Sequence, residues 1–467
     1  MILKKLKSFS KDTLYYGMSS VLSRLVGFLL VPLYTQYLSP SDYGIMTLLG
    51  FYTLFFSPIS HLGLQGAMFR YVGMAKSEKE EGIIISSAFK VILINSFIFT
   101  IASILLIKPL EIFLLKSYDY SILLYLTIIS SFFSSLAQVL YSFLRIKRKV
   151  KKIFYLNLIK IFFGVSLSIY LIAYQGLGIS GAIYSLFFTS ILSFVLVLLV
   201  VKLPIKYKLD FLYLKKMLSY GLPNLPKYLQ AIIMMLFGQY YLSENLSVED
   251  LGYYAIAWKF CLPLVVLYSV IGTSWNAYKF DLLKDKNTSK ETFSQFSNYK
   301  IILYCFVFLL ICLWGEDALI LFTAKEFHHA SSFISYLCLI PLFTALYQVV
   351  STYISFGEKQ ILNPFIGTIG LVITISMSLL LIPDYSIIGA AIATALGWLG
   401  MAIFGYFYGQ SIFKVNFKLT QNISLILFVI FSGLYLIEVA NKFLILSINI
   451  IIFLIYIYNV NRIKYLK

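Results

Sequence analysis

Charged side chains are scarce in this chain. Only 12% of its 467 residues are Asp, Glu, Lys or Arg, whereas 60% are hydrophobic. A soluble globular protein has about 25% charged and about 45–50% apolar residues. The polar surface is therefore too small to face water on all sides, which excludes a soluble enzyme and a disordered protein. The composition predicts an integral membrane protein.

Cysteine and acidic residues are scarce as well. The four cysteines form no C-x-x-C pair and all lie in apolar stretches, so we expect them to pack as small apolar residues. The 20 acidic residues are outnumbered by 38 Lys and Arg, and none of them lies deep in a hydrophobic stretch. The net charge of +18 would indicate nucleic-acid binding in a soluble chain. In a membrane protein the basic residues first have to be placed relative to the bilayer.

Long hydrophobic stretches recur along the whole chain. About 20 residues of helix cross the ~30 Å hydrocarbon core of a bilayer, and the stretches reach about that length. They predict an all-α integral membrane protein with about fourteen transmembrane helices. The predicted spans are 13–38, 43–70, 83–107, 120–144, 153–175, 180–201, 217–243, 251–275, 299–323, 332–356, 361–383, 386–410, 420–437 and 443–461.

The basic residues are distributed unevenly between the two sides of these spans. With the N-terminus inside, 29 Lys and Arg fall in inner segments and 4 in outer loops. This asymmetry follows the positive-inside rule and predicts that both termini are cytoplasmic. The basic run 145–152 is explained by topology anchoring beside lipid headgroups, so we expect no nucleic-acid partner. Because the longest loop, near 278–299, leaves no room for a catalytic domain, we expect no enzyme.

Two short motifs recur at an offset near 208 residues. Leu38–Gly44 matches Leu246–Gly252, and each copy contains a serine followed three residues later by an aspartate. This spacing predicts that Ser39 and Ser247 cap the N-termini of the second and eighth spans.

The second motif pair, 179–182 and 387–390, has the same offset, which predicts an internal duplication. The predicted domains are a six-helix bundle over 1–210, a second six-helix bundle over 211–415, and two additional transmembrane helices over 416–467. A unit of six spans keeps its orientation when it is repeated, so we expect the bundles to be related by an axis along the membrane normal.

Five basic residues lie within predicted spans, at a cost of about 2.5–3.5 kcal/mol each at a helix centre. They are Arg24, Lys90, Lys160, Lys227 and Lys259. Since no acidic residue lies deep in a span, these cations need water or an anionic ligand. We therefore expect a water-filled cavity that receives an anion, and phosphate suits both residue types. For Lys90 and Lys160, snorkelling to the interface stays an alternative.

Two of these cations occupy near-equivalent places in the repeat. Arg24 follows Gly17 by seven residues and Lys227 follows Gly221 by six, which predicts one cation on each bundle. Pro223 and Pro226 must break the helix just before Lys227. Broken helices at membrane depth are tolerated where they line a cavity.

Three polar residues inside spans are further candidates. Asn224 and Gln65 could donate to sugar hydroxyls, with interhelical packing as the alternative. His61 is a candidate for proton coupling, with a satisfied interior histidine as the alternative. We expect no metal and no cofactor, and coupling to an H⁺ or Na⁺ gradient stays open.

The stretches 23–28, 37–44 and 220–223 resemble the Wzx-type polysaccharide flippases. These belong to the MATE-like multidrug/oligosaccharidyl-lipid/polysaccharide (MOP) exporter superfamily. The lysine after the eighth-span alanine is retained as Lys259. Family members often carry an Asp-Arg pair late in the seventh span, where this chain has Gly-Gln-Tyr-Tyr over 238–241. No site residue is therefore assigned there.

The resemblance implies an activity, a substrate and a location. It implies a flippase that moves an undecaprenyl-diphosphate-linked oligosaccharide repeat unit from the cytoplasmic to the periplasmic leaflet by alternating access. The product would serve O-antigen (lipopolysaccharide), capsule or related polymer assembly at the bacterial cytoplasmic (inner) membrane. Implied partners are membrane lipids and polysaccharide polymerase or assembly proteins.

Three alternatives remain. A lipid-linked peptidoglycan precursor flippase would share the fold and the cationic cavity. A cation-coupled MATE-type drug exporter needs intramembrane carboxylates, which this chain lacks. A membrane scaffold without transport would have its cations facing lipid or neutral partners.

Overall fold

The structure is a computed structural model, and it describes residues 27–117, 119–201, 207–282, 286–356, 363–412, 419–436 and 441–462. The regular structure in these ranges is helical. The chain consists of two compact units, Met1–Ile233 and Met234–Lys467.

The first unit contains nine helices in its described part, and a tenth runs from it into the second unit. They are α1 (Val31–Tyr37), α2 (Pro40–His61), α3 (Leu64–Met74), α4 (Glu78–Leu105), α5 (Ile107–Leu115), α6 (Ser121–Ile146), α7 (Val150–Ser168), α8 (Gly178–Val200), α9 (Phe211–Gly221) and α10 (Leu225–Asn245). A π-helical turn, Ile169–Tyr174, follows α7, and a 3₁₀ turn, Leu222–Asn224, separates α9 from α10.

The described part of the second unit continues with seven further helices. They are α11 (Val248–Phe260), α12 (Leu262–Leu282), α13 (Lys286–Phe322), α14 (Ile334–Phe356), α15 (Asn363–Ile412), α16 (Leu419–Phe431) and α17 (Lys442–Arg462). Helices α16 and α17 pack on α13. Asn422 donates to Asn298 Oδ1 over 3.0 Å and accepts from the hydroxyl of Tyr456, so one buried polar cluster joins the three helices.

The prediction of an all-α integral membrane protein is confirmed. Eight helices of the described part are long and apolar enough to cross a bilayer, and α11 with α12 forms a ninth if the two count as one span. That pair is bent by 51°, so the span predicted over 251–275 is interrupted between Phe260 and Leu262. The count of fourteen stays a prediction, and most of the first predicted span lies outside the described residues.

The second predicted span, 43–70, is also not one helix. Leu62 and Gly63 both have positive φ, at 50° and 69°, and they end α2 and begin α3. The break predicted from Pro223 and Pro226 is confirmed by the 3₁₀ turn. Farther along, α15 contains the two spans predicted over 361–383 and 386–410, which meet at Ser386 where φ is 51°.

The two predicted caps are confirmed. The Ser39 side chain accepts from the backbone N–H of Asp42 over 3.1 Å, and Asp42 accepts from the Ser39 backbone N–H. The Ser247 side chain accepts from the backbone N–H of Asp250 over 3.0 Å. The four cysteines are free and buried, as expected for packing residues.

The boundary between the two units lies within α10, whereas the predicted first bundle ends at residue 210. Helix α9 and the first part of α10 belong to the first unit, and α16 and α17 belong to the second. The three predicted domains and the symmetry between two six-helix bundles stay predictions.

Side-chain contacts attach α9 to the rest of the first unit. The Tyr213 hydroxyl donates to Glu80 Oε1 over 2.7 Å, and this carboxylate raises the pKa of Tyr213. The Arg70 guanidinium lies 4.6 Å from the centre of the Tyr220 ring. These contacts place the 3₁₀ turn after α9 beside the break between α2 and α3.

The two breaks meet backbone to backbone. A Cβ added at Gly63 would lie 2.2 Å from the carbonyl oxygen of Gly221, and a Cβ added at Gly221 would lie 2.8 Å from the carbonyl oxygen of Leu62. Neither neighbour can move aside as a flexible side chain could. The glycines at both positions are therefore required by the close approach.

We expect Gly221→Ala to destabilise the protein by about 1–3 kcal/mol, the usual cost of overpacking. Gly73→Ala is the matched control, because a Cβ at this helical glycine meets nothing within 4 Å and alanine favours a helix. Thermal unfolding of the purified chain in detergent measures both. Equal unfolding temperatures in the two variants would show that the backbone contact is absent.

Candidate functional site

A cavity of about 550 Å³ lies within the first unit. It is bounded by α2, α3, α6 and the first turns of α10, and it falls in the ~300–1,000 Å³ range of small-molecule sites. Its lining residues are Thr53, Leu54, Ser57, Pro58, His61, Gly63, Gln65, Gly66, Ser131, Ser134, Ser135, Gln138, Tyr228, Ala231 and Ile232. Hydroxyl and amide groups dominate its polar lining, and none of these described residues is acidic.

Helix α6 contributes more polar residues to the cavity lining than any other helix. Ser131, Ser134, Ser135 and Gln138 follow the i, i+3, i+4, i+7 spacing, so they lie on one face of the helix. Ser134 and Gln138 are exposed to the cavity side of this face, whereas Ser131 and Ser135 are buried. The Ser57 hydroxyl of α2 donates to Gln138 Oε1 over 2.9 Å. The face thus presents a hydroxyl and an amide at membrane depth.

His61 lines the cavity at the last residue of α2. It is 4% exposed, and its Nε2 lies 3.2 Å from the carbonyl oxygen and 2.9 Å from the hydroxyl of Ser135. The Ser135 hydroxyl is also 2.7 Å from that of Ser60. His61 is therefore a satisfied interior histidine at the cavity wall, and its role in coupling stays a prediction.

Gln65 lines the same cavity from the first turn of α3. Its amide donates to the hydroxyl of Ser142 on α6. Asn224 lies outside the lining and donates to the Tyr220 carbonyl over 2.8 Å, from the 3₁₀ turn to the end of α9. Gln65 thus has the interhelical partner that was its alternative, whereas the partner of Asn224 is local, and a sugar contact of either residue stays a prediction.

Tyr228 is the aromatic lining residue of this cavity, and 52% of it is exposed. Its neighbour Lys227 is exposed and lies outside the lining. The Lys227 side chain makes no hydrogen bond or ion pair with any residue in the described ranges. A cation and an aromatic residue therefore follow one another on the first turn of α10, and only the aromatic residue lines the cavity.

The other predicted cations fall in different places. Lys90 is half-buried and donates to the Tyr207 carbonyl over 2.7 Å, so it fastens the segment before α9 to α4. Lys160 lines a separate pocket of about 180 Å³ beside the larger cavity. Lys259 is half-buried in the last turn of α11, in the second unit. Arg24 lies outside the described residues.

The serine-rich face of α6 was missed at the sequence level. Its signal was present in the run Ser130–Gln138, where four serines and a glutamine interrupt an apolar span at helical spacing. Hydroxyls inside a membrane cost less than charges and often pack between helices, so such a run does not by itself indicate a binding face.

The sequence matches the family model described as polysaccharide biosynthesis protein over residues 34–276, more than half of the chain. No curated protein has a matching sequence.

Three solved structures share the fold. The lipid II flippase MurJ, in an inward closed conformation, is 18% identical with a TM-score of 0.68, covering 97% of this chain and 99% of that one. An inward-facing multidrug resistance MATE family transporter of the MOP superfamily is 14% identical with a TM-score of 0.70, covering 83% and 94%. A MOP superfamily transporter from Pyrococcus furiosus, described by a binding pocket of reverse polarity, is 16% identical with a TM-score of 0.66, covering 87% and 95%.

The family match confirms the relation to polysaccharide biosynthesis that the motifs of 23–28, 37–44 and 220–223 predicted, and the solved structures show that the chain has the fold of MOP superfamily transporters. The chain is a multi-pass membrane protein with the MOP fold, and it belongs to the polysaccharide biosynthesis protein family.

Proposed function

We propose that the chain is a flippase for an undecaprenyl-diphosphate-linked oligosaccharide repeat unit, which it moves from the cytoplasmic to the outer leaflet. The observation that carries the proposal is the large cavity of the first unit, with a polar lining of hydroxyls and amides, in a member of a polysaccharide biosynthesis family. The chain would act as a transporter and not as an enzyme.

The lining chemistry suits a sugar. A sugar presents many hydroxyls that both donate and accept, and Ser134 and Gln138 can do the same from the exposed part of α6. Tyr228 adds a ring on which a sugar face can stack, since its large exposed fraction leaves the ring accessible. Each hydrogen bond of this kind contributes about 0.5–1.5 kcal/mol.

The charges suit a diphosphate. Lys227 lies next to Tyr228 and has no partner within the described part, so an anion there would compensate it. A cationic drug would need a carboxylate, and the described residues that line the cavity include none. The described lining therefore argues against a cationic drug, and the argument for an anionic headgroup rests on Lys227, which lies outside the lining. Arg24 is proposed as a second cation for the same headgroup.

Location, partners and coupling belong to the same proposal. The distribution of basic residues supports both termini in the cytoplasm, and the proposed substrate implies the bacterial inner membrane. A polysaccharide polymerase would receive the flipped unit. An H⁺ or Na⁺ gradient would drive the cycle, and His61, which lines the cavity, is the proton candidate.

A second candidate is a flippase for the lipid-linked peptidoglycan precursor. It is favoured by the similarity to the lipid II flippase MurJ, which extends over 97% of this chain. The family match to polysaccharide biosynthesis places this candidate second.

Deleting the gene in its host and profiling surface polysaccharide and lipid-linked intermediates tests the function. We expect polymer to be lost and a lipid-linked oligosaccharide to accumulate. Accumulation of the peptidoglycan precursor with arrested growth would instead support the second candidate. Unchanged polymer and unchanged lipid intermediates would refute both.

Complementation of this deletion tests the cations. Lys227→Glu and Arg24→Glu should fail to restore polymer at normal membrane expression, because a carboxylate repels the diphosphate. Lys215→Glu is the matched charge reversal, since Lys215 is exposed on α9 away from the cavity lining, and it should restore polymer. Full restoration by both Lys227→Glu and Arg24→Glu would contradict the assignment.

Gln138→Leu tests the sugar contacts. Removing the amide at nearly constant volume should slow transport by up to about tenfold, the value of one hydrogen bond. Ser96→Ala is the control, because Ser96 is buried without a partner in the described part and lies outside the cavity lining. Rates of leaflet transfer in reconstituted vesicles compare the two. The assignment is wrong if both variants transport at the normal rate.

A further inference from the structure

The smaller pocket of the first unit lies between α2, α6, α7 and α8. Its volume of about 180 Å³ is below the ~300–1,000 Å³ of sites for organic ligands. The polar residues that line it are Thr53, Thr127, Ser130, Ser134, Lys160, Thr189 and Ser190. None of the described lining residues is acidic, so the pocket offers one positive charge and a set of hydroxyl dipoles in a space fit for a small ion.

Lys160 supplies the positive charge. It lies ten residues after the start of α7, about 15 Å along the helix axis. The residue is exposed, and it is one of the residues that line the pocket. It makes no hydrogen bond or ion pair with another residue in the described ranges. A cation at this depth needs a compensating anion or water.

Thr189 supplies an independent indication. It is 9% exposed, and its hydroxyl has no hydrogen-bond partner in the part of the chain described. A buried hydroxyl without a partner is unfavourable, so an acceptor in the pocket would stabilise it. The hydroxyl lies beside α7, since a Cβ added at Gly164 would be 3.1 Å from it. Gly164 is one helical turn from Lys160.

We propose that Lys160 and Thr189 form a binding site for a small inorganic anion inside the first unit. The ammonium group provides the charge, and Thr189 donates the hydrogen bond that it otherwise lacks. Lys160 then binds this ion in its own pocket and does not contribute to the large cavity.

The proposed anion site lies beside the large cavity. The small pocket and the large cavity share two lining residues, Thr53 and Ser134. An ion beside Lys160 therefore lies next to the cavity and changes the charge at its wall. The inference concerns an ion that binds in addition to the proposed substrate, and it does not depend on that substrate.

Anion titration of the purified full-length chain tests the site. Protein in phosphatidylcholine nanodiscs is titrated with sodium chloride, and separately with inorganic phosphate, at constant ionic strength held by gluconate. A ligand that binds the folded state raises the unfolding temperature, so this temperature reports binding. We expect a saturable rise with at least one of the two anions, and a response to neither overturns the proposal.

Substitutions of Lys160 test whether the rise in unfolding temperature comes from anion binding in this pocket. Lys160→Met should weaken the apparent affinity about tenfold or more, as the loss of a charge-assisted hydrogen bond predicts, and Lys160→Arg should retain it. Lys90→Met is the matched control, because it removes a lysine of the same unit whose amine already has the Tyr207 carbonyl as partner. An unchanged affinity in Lys160→Met, or an equal loss in Lys90→Met, overturns the site.

Two further measurements cover a variant that does not fold and a lipid headgroup as the ligand. If Lys160→Met does not fold, Thr189→Val is compared with Thr189→Ser, and equal affinities overturn the proposal because only serine retains the hydroxyl. Adding phosphatidylglycerol to the nanodiscs should leave anion binding unchanged. Displacement by this lipid would assign the pocket to a headgroup and overturn the proposal of a free inorganic ion. No arm needs a sugar substrate, so failure here is distinguishable from failure of the proposed function.

Discussion

A polar group inside the hydrocarbon core must find a partner within the protein or face a water-filled space, and the first unit is organised around this constraint. On α6 the Ser131 and Ser142 hydroxyls donate to carbonyls one turn earlier, over 2.8 and 2.9 Å. Ser134 and Gln138, on the same helix, remain exposed and line the cavity. One helix thus combines satisfied serines that pack with exposed polar groups that are available to a ligand.

The same constraint explains where the helices break. A break leaves backbone groups without helical partners, so at membrane depth it is tolerated inside protein or at a cavity. The break at Leu62 and Gly63 lies against Gly221, just before the 3₁₀ turn. The residues that follow both breaks, Gln65 and Tyr228, line the large cavity. The two helix breaks therefore lie at the wall of the large cavity.

The lysines show how a single residue type acquires different roles. Lys90 has a carbonyl partner and fastens a connecting segment, which is a structural role. Lys160 and Lys227 have no partner within the described ranges, and each lies beside polar or aromatic lining groups. Because an uncompensated cation is costly in a bilayer, a lysine without a protein partner is the better candidate for an anionic ligand.

The sequence alone determined the membrane class, most helix positions, the caps at Ser39 and Ser247 and the break near Pro223, because hydropathy, capping and proline geometry act over a few neighbouring residues. It could not determine which buried cation has a partner, since the Tyr207 carbonyl is 117 residues from Lys90. Nor could it show that Ser134 borders two pockets, or that Gly63 and Gly221 touch. Those features depend on distant segments packing together, and only the tertiary structure brings such segments within contact distance.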